Sequence, residues 1–572
     1  MWLKIRPRKY DSTMIRVSEI RLIQFLVIAT LGGVSLIITP KFSMDPINIP
    51  KLFLLAPLGL AAFSFILNSP KIFTRSNFKA PFIIALLFFI QLTLVLLISD
   101  TFFPQRFFGT SGRNTGYLAY ISLLSIFLST IVAANQILNK KIAITLFTCG
   151  ALTTAYGILQ TTGNDFISWN NPYNNIIGFL GNPNFASSFL GMSSMVGVAL
   201  LLGNTLKIYQ KILIVVYEIV SFYLIFQSDS IQGVIIFGLS SVVILYLYLR
   251  FHPKINNMFS HLLAGLTTIL GFFVVFGILN KGPLADYLYA TSVRQRGFYW
   301  DAGFKMMNAN PIFGVGLDSY GDNYLKFRSS DAEFYSRVTQ SNAAHNVFLD
   351  IGSNGGYPLF IIYIALVLFT FWKGVKTFKK LNSFDPFFVA IFAAWIAYQA
   401  QSLISINQLG LAVWGWALSG AIIGYSIFVS SQTEVVESNS ELKRKNRSAK
   451  NGNSRLLIPA LGFIVGASLS IPPLATDHNY FKALSSGDAN KVIAAATAFP
   501  EDLIRTTSAA EILAKNNLVE QSKSLLDSVV EKSPNSYNAW VLLSSINPEG
   551  SNEREKAKQM MKELDPQNKS YK

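Results

Sequence analysis

The chain has 572 residues, enough for several soluble domains, yet 51% of them are hydrophobic and only 14% charged, a balance that a water-soluble fold of this size rarely tolerates. One cysteine and four histidines exclude a disulfide framework and leave no cluster with metal-ligand spacing. Phosphate-binding loops and dinucleotide fingerprints are absent too, so ATP-driven transport has no support within the chain.

In chain order, apolar runs long enough to cross about 30 Å of hydrocarbon as helices fall at 21–39, 52–68, 81–99, 117–134, 142–159, 184–203, 211–227, 231–250, 260–279, 356–372, 385–403 and 410–429. These are about twelve core spans of an all-α, polytopic membrane protein. The charged N-terminal stretch lacks a small-residue cleavage pattern and reads as leading into a retained helix. The net charge of +17 raises the question of nucleic acid, which the placement of the charge answers. Basic clusters recur at Lys4/Arg6/Arg8/Lys9/Arg16, Lys71/Arg75/Lys79, Lys140/Lys141, Lys207/Lys211, Arg250/Lys254, Lys373/Lys376/Lys379/Lys380 and Lys443/Arg444/Lys445/Arg447. Neighbouring clusters are separated by two spans, as the positive-inside rule requires of cytoplasmic loops. The charge thus orients the protein in a cytoplasmic (inner) membrane with its N-terminus inside and implies no nucleic-acid partner. Loops 160–183, 228–230, 280–355 and 404–409 then face outside. Within the spans, Cys149 reads as a packing residue, and Glu218 is the one clear carboxylate, a mark either of an ion pathway or of a structural pair.

The 280–355 loop is too long to be a simple connection, and its aromatic residues, Phe298, Tyr299, Trp300, Phe304, Phe313, Tyr320, Tyr324 and Phe334 among them, predict ordered short helices on the membrane face. Residues 1–430 form the membrane core on this reading. A polar segment at 431–455 is expected to be a cytoplasmic linker, and 456–472 a further span that delivers residues 478–572 to the outer face. That tail has prolines at 500, 534 and 566, spaced at about the tetratricopeptide period. Ala539, Trp540 and Leu543 share one helical face, as in the first helix of such a repeat. A tetratricopeptide-like tail implies a protein partner held on a concave surface.

Polar residues on the outer side gather at span ends, in 181–189, 228–233, 294–321, 344–356 and 401–410, where one site would meet a lipid-linked substrate. Three of these blocks carry a resemblance. HN-x-x-L-x-x-x-x-x-x-G from His345, R-x-x-x-W-x-x-G from Arg296 followed by P-x-x-G-x-G, and GNPN at 181–184 are similar to motifs of the O-antigen ligase and polymerase family, in order and topology, over roughly 150–425. The resemblance implies a metal-independent, GT-C-like membrane glycosyltransferase without a cofactor. Such an enzyme moves a glycan from a polyprenyl-diphosphate carrier to an acceptor hydroxyl of a glycan, lipid or protein, in cell-surface polysaccharide biosynthesis. Protein O-oligosaccharyltransferases belong to the same family.

The residues support that chemistry. An acceptor hydroxyl is a poor nucleophile, and a neutral imidazole beside the membrane, His345, can take its proton; Asn346 is placed to orient it or to bind sugar. A leaving diphosphate needs fixed donors, and an arginine fork suits phosphate oxygens. Arg296 stands at the family's arginine position, with Arg294 as a second contact. Many family members carry an arginine after the serine of the segment matched to SDSIQG, where this chain has Ile231 and Gln232. Gln232 donates hydrogen bonds without charge, and Arg294, Arg328 and Arg337 are the cations left to complete a clamp. Trp300 and Tyr299 would stack on sugar rings or sit in an aromatic belt, and Asn184 would contact substrate or cap a helix after a tight turn. Bland alternatives stand beside the others as well: a capping histidine, a headgroup-anchoring arginine, turn glycines at 314 and 316. A glycolipid flippase or exporter is the rival function; it needs polar groups deep in the bilayer rather than at span ends. A mere anchor for the tail would need only one span.

Overall fold

The computed structural model describes residues 15–169, 174, 176–203, 206–335, 340–437 and 454–571. Lys4, Arg6, Arg8, Lys9, Arg337 and most of the expected 431–455 linker lie outside the described residues. Among those described the secondary structure is helical throughout, with no strand, and eleven helices are long and apolar enough to cross a membrane. The two remaining expected spans fold as Tyr117–Ala133 and Pro386–Ser402, 17 residues each, about 26 Å of helix. The protein is therefore a polytopic all-α membrane protein, and all the expected spans are helices.

Small residues decide which helices occupy the centre. Without water to drive helices together, close backbone approach supplies the contact. Helix Leu409–Glu437 places Gly420 and Gly424 against the Phe127 and Ile131 carbonyls of Tyr117–Ala133, and Gly415 against the Tyr398 ring of Pro386–Ser402. Trp395 and Trp414 are fully buried there, and each indole donates to a serine, Ser419 at 2.8 Å and Ser35 at 2.7 Å. Helices Ile208–Gln227 and Asn257–Ile278 instead expose long apolar side chains such as Ile212, Leu213, Leu262 and Leu266, as a lipid-facing rim does. Helix Leu409–Glu437 also runs through the first residues of the expected linker.

The expected last span is longer than its hydropathy indicates. Helix Leu457–Ser486 passes 472 without a break, with Pro472 and Pro473 inside it, so span and tail are one rod. Gly462 and Gly466, a GxxxG pair, let it lie on helix Asn48–Leu67: a Cβ on Gly466 would come within 2.5 Å of the Pro57 backbone, and one on Gly462 would strike Ser64. Beyond it, Ala489–Ala496, Leu503–Lys515, Val519–Lys532, Tyr537–Ile546 and Asn552–Leu564 form a separate core, with Ala539, Trp540 and Leu543 buried in it.

The long connection before the last core spans contains Ala285–Leu288, Thr291–Ala309, Tyr320–Phe327 and Ser330–Tyr335, built around Tyr299, Met306, Met307, Tyr320 and Tyr324. It ends sooner than hydropathy indicates, because helix begins at Val347 rather than near 356. Gly356 then breaks the Val347–Lys380 rod with φ 75°. The 311–316 turn occupies that break: Tyr357 donates to Pro311 O at 2.8 Å, Val315 to Ser353 O at 2.8 Å, and Gln91 Nε2 to Ile312 O at 2.6 Å. A Cβ on Gly356 would meet the Ile312 carbonyl carbon at 2.5 Å, so only glycine fits. Gly314 and Gly316, at φ 63° and 102°, are turn positions as expected.

Candidate active site

His345 closes the long connection one residue before a helix. Asn346 is the N-cap of Val347–Lys380, its Oδ1 accepting from Leu349 N at 3.1 Å. The cap explains the local chain path, and the role of orienting the ring passes elsewhere. His345 has φ 49°, a left-handed conformation uncommon outside glycine. Two of the three residues before it are held by other groups: Ala344 N donates to Asp350 Oδ1 at 3.2 Å, and Asn342 O accepts from Arg113. The imidazole stacks on Tyr299, centroids 5.1 Å apart and planes 29° apart. Tyr299 is itself fixed by packing on Tyr324 and by Tyr320, which donates to the Tyr299 carbonyl at 2.8 Å. Neither ring nitrogen of His345 has a hydrogen-bond partner among the described residues. Burial lowers its pKa to about 4, and the charges of Arg296 and Arg113 act in the same direction. The ring is neutral at pH 7, with a lone pair available.

Arg296 lies three residues before Tyr299 on helix Thr291–Ala309 and is half-buried. Its Nε donates to Ile404 O at 2.9 Å and its Nη1 to Ser292 O at 3.1 Å. A guanidinium carries five N–H donors, so three remain without an acceptor among the described residues, and no carboxylate neutralises the charge there. Arg294, two residues earlier, leaves the helix on another face. Its guanidinium packs over Tyr335 at 4.9 Å and Tyr289 at 5.3 Å, so the structure does not pair the two arginines. Arg328 pairs with the tail instead, in a buried fork with Asp565 (Nε to Oδ1 3.0 Å, Nη2 to Oδ2 2.9 Å), which removes it from the candidates for a diphosphate clamp. Trp300 packs on the core of the long connection, and its buried Nε1 has no hydrogen-bond partner among the described residues.

The five polar segments meet in two groups. Segments 294–321, 344–356 and 401–410 join through Tyr299, His345 and the Arg296 contact with Ile404. Segments 181–189 and 228–233 join through Ser230 Oγ, which donates to Asn184 Oδ1 at 2.7 Å. Asn182, not Asn184, caps helix Pro183–Leu202, its side chain accepting from Asn184 N at 2.8 Å. Gln232 is buried in the first turn of Ile231–Phe251, and its Oε1 has no partner. The groups touch where Leu180 lies against Gly410, and Gln401, buried on the same segment, leaves its Nε2 without a partner.

Sequence reasoning missed Arg113. It stands in the loop GTSGRNTG at 109–116, is 3% exposed, and binds Asp318 (Nε to Oδ1 3.2 Å) and Asp350 (Nη2 to Oδ2 2.5 Å). Although burial disfavours its charge, Asp350 and Asp318 hold its pKa well above the ordinary value. Asp318 also accepts from Thr110 N at 2.8 Å and Thr115 Oγ1 at 3.0 Å. The available signal was an arginine on a loop at the end of the bundle that the alternating basic pattern leaves poor in cations.

A many-helix membrane bundle that gathers a neutral histidine and a carboxylate-free arginine at one end of its spans has the form of an enzyme acting on a substrate at a membrane surface. Residues 213–364 match the family described as O-Antigen ligase, which makes this a multi-pass membrane protein that is O-antigen ligase-like over that segment and of the glycan ligase and polymerase type in polysaccharide biosynthesis. The match takes in Gln232, Arg294, Arg296, Trp300, His345 and Asn346 and leaves out Asn184 and the tail. No curated protein matches the chain.

Proposed function

We propose that the protein transfers a glycan from a polyprenyl-diphosphate carrier to an acceptor hydroxyl at the outer face of the cytoplasmic membrane. The observation that carries this reading is the pairing of His345 and Arg296 around Tyr299: an imidazole with both nitrogens unengaged beside a guanidinium with three unused donors. The acceptor oxygen attacks the anomeric carbon as His345 takes its proton. The bond from that carbon to the carrier's diphosphate breaks, and its electron pair leaves with the diphosphate, whose charge Arg296 stabilises. The proton then passes from the imidazolium to solvent. A bound diphosphate also offsets the positive field of Arg296 on His345, which raises the basicity of the ring when substrate is present. Gln232 and Trp300, each with a buried polar atom lacking a partner, are candidates for sugar contacts. Asn184 and Arg294 stand further from this chemistry, engaged with Ser230 and with two tyrosines.

Ligation to a finished surface polymer, chain extension and transfer to a protein hydroxyl all use the same step, and the acceptor distinguishes them. The tail's tetratricopeptide character rests on its sequence spacing; on that reading, the face turned away from the core recruits an acceptor or protein partner. One observation favours the rival exporter: Glu218, within the span Ile208–Gln227, has both carboxylate oxygens buried without a hydrogen-bond partner.

The test uses purified protein in detergent with a polyprenyl-diphosphate glycan pool, following release of free polyprenyl diphosphate. Release that requires His345 and an added acceptor supports transfer. Lipid-linked glycan that is bound and returned intact under every acceptor overturns it in favour of the exporter.

A further inference from the structure

We propose that Arg113 is a positioning residue for His345, holding the strained backbone on which the base stands; this rests on the reading of His345 as the base. The geometry is specific. One guanidinium hydrogen-bonds to two points around the histidine and ion-pairs with a third group: Nη1 to the Asn342 carbonyl, three residues before it; Nη2 to Asp350, whose other oxygen accepts from Ala344 N, one residue before it; and Nε beside Asp318 at 3.2 Å, without a hydrogen bond, on the turn that follows the 311–316 segment. Asn342 and Ala344 are thereby tied to a loop more than two hundred residues upstream. A left-handed φ at a non-glycine residue persists only where its surroundings over-determine it, and here the over-determination comes from Arg113 and Asp350.

The neighbours do not supply this function. Tyr299 orients the ring but makes no hydrogen bond to the 342–345 backbone, and Asn346 acts on the helix that follows. The charged and titratable groups around the imidazole are Arg296 and Tyr299 from helix Thr291–Ala309 and Arg113 with its carboxylates Asp318 and Asp350, and Tyr320, Tyr324 and the tail's Tyr537 pack on the cluster that holds Tyr299. Arg113 can act on His345 both mechanically and through its charge, so two variants separate the two. Lysine keeps the charge but is a point rather than a fork and reaches one partner where arginine reaches three. Glutamine at 113 removes the cation and leaves its two carboxylates, so the field at the ring becomes more negative.

The experiment compares wild type, Arg113→Lys and Arg113→Gln in two readouts. The first is carrier release at saturating lipid-linked glycan over a range of pH. The second is the titration of His345, seen by NMR of protein carrying 15N-labelled histidine in detergent micelles and assigned by loss of its signal in His345→Gln. Arg113→Lys is expected to lower kcat about 100-fold with KM for the lipid-linked glycan and the His345 titration near wild type. Arg113→Gln is expected to raise the His345 titration by about one pH unit. Wild-type kcat in Arg113→Lys at every pH overturns the proposal, as does a His345 titration unchanged in Arg113→Gln. The NMR readout needs no turnover, so a wild-type protein that releases no carrier defeats the assignment of the base while the coupling of Arg113 to His345 is still decided.

Discussion

Two arginines lie beside His345, and their surroundings are opposite. Arg113 comes from a glycine- and threonine-rich loop, is almost wholly buried, and is matched by two carboxylates and a carbonyl. Arg296 comes from one face of a helix, is half-buried, and meets only two backbone carbonyls. A guanidinium whose counter-ions arrive with the fold contributes geometry and little net field, whereas one without them keeps its charge for an anion that arrives later. The presence or absence of aspartate within reach, more than depth of burial, separates an arginine matched by the fold from one whose charge is left open.

That contrast can be broken in several ways. The largest expected effects are on stability at matched pairs. Asp318→Ala removes a carboxylate from buried Arg113 and an acceptor from Thr110 and Thr115, and Asp565→Ala removes the partner of Arg328; each is expected to cost about 3–5 kcal/mol. The check is limited proteolysis of the 317–350 region for the first and of the tail for the second. Arg296→Ala, by contrast, should melt near wild type while carrier release falls about 100- to 1000-fold, with Arg296→Lys recovering only part of it. If Arg296→Ala destabilises as much as Asp318→Ala does, the two arginines do not differ in kind. Next in size, Gly466→Leu should overpack the last span against Asn48–Leu67 at about 1–3 kcal/mol, measured as a lowered thermal midpoint with the site's residues untouched.

The smallest effect is on pH. His345 in the folded protein stays neutral down to about 4, below its ordinary 6.5, so the unfolded chain takes up that proton first. Its contribution to stability is therefore constant above about pH 6.5 and is lost as pH falls from there toward 4. Carrier release at limiting substrate should hold from pH 7 to about pH 5 and decline only near pH 4. An acid limb at 6.5 in the free enzyme would show that burial and the two arginines do not govern the base.

Hydropathy alone located every membrane helix, because about 30 Å of hydrocarbon imposes a length that polar loops interrupt. It did not reveal that Tyr117–Ala133 and Pro386–Ser402 are central, which depends on glycines of a third helix, nor that Leu457–Ser486 is one rod, since prolines usually end a helix pattern. In the candidate site, His345 and Arg296 stood out through their motifs and their position at span ends. Arg113 did not, because its meaning lies in Asp318 and Asp350, the latter 237 residues away, and no local pattern encodes a pairing at that range. Arg328 was misjudged for the same reason: as a loop arginine it resembled Arg296 until Asp565 occupied it.

The Arg328 and Asp565 pair has a temporal side. The two residues are 237 apart in the chain, so at ordinary rates of synthesis the carboxylate emerges on the order of ten to fifty seconds after the guanidinium. Through that interval the long connection around His345 lacks one of its buried ion pairs, and the last span and the tail must both be made before it is complete. A nascent chain thus holds the loop of His345 in an unfinished state until Asp565 has been made.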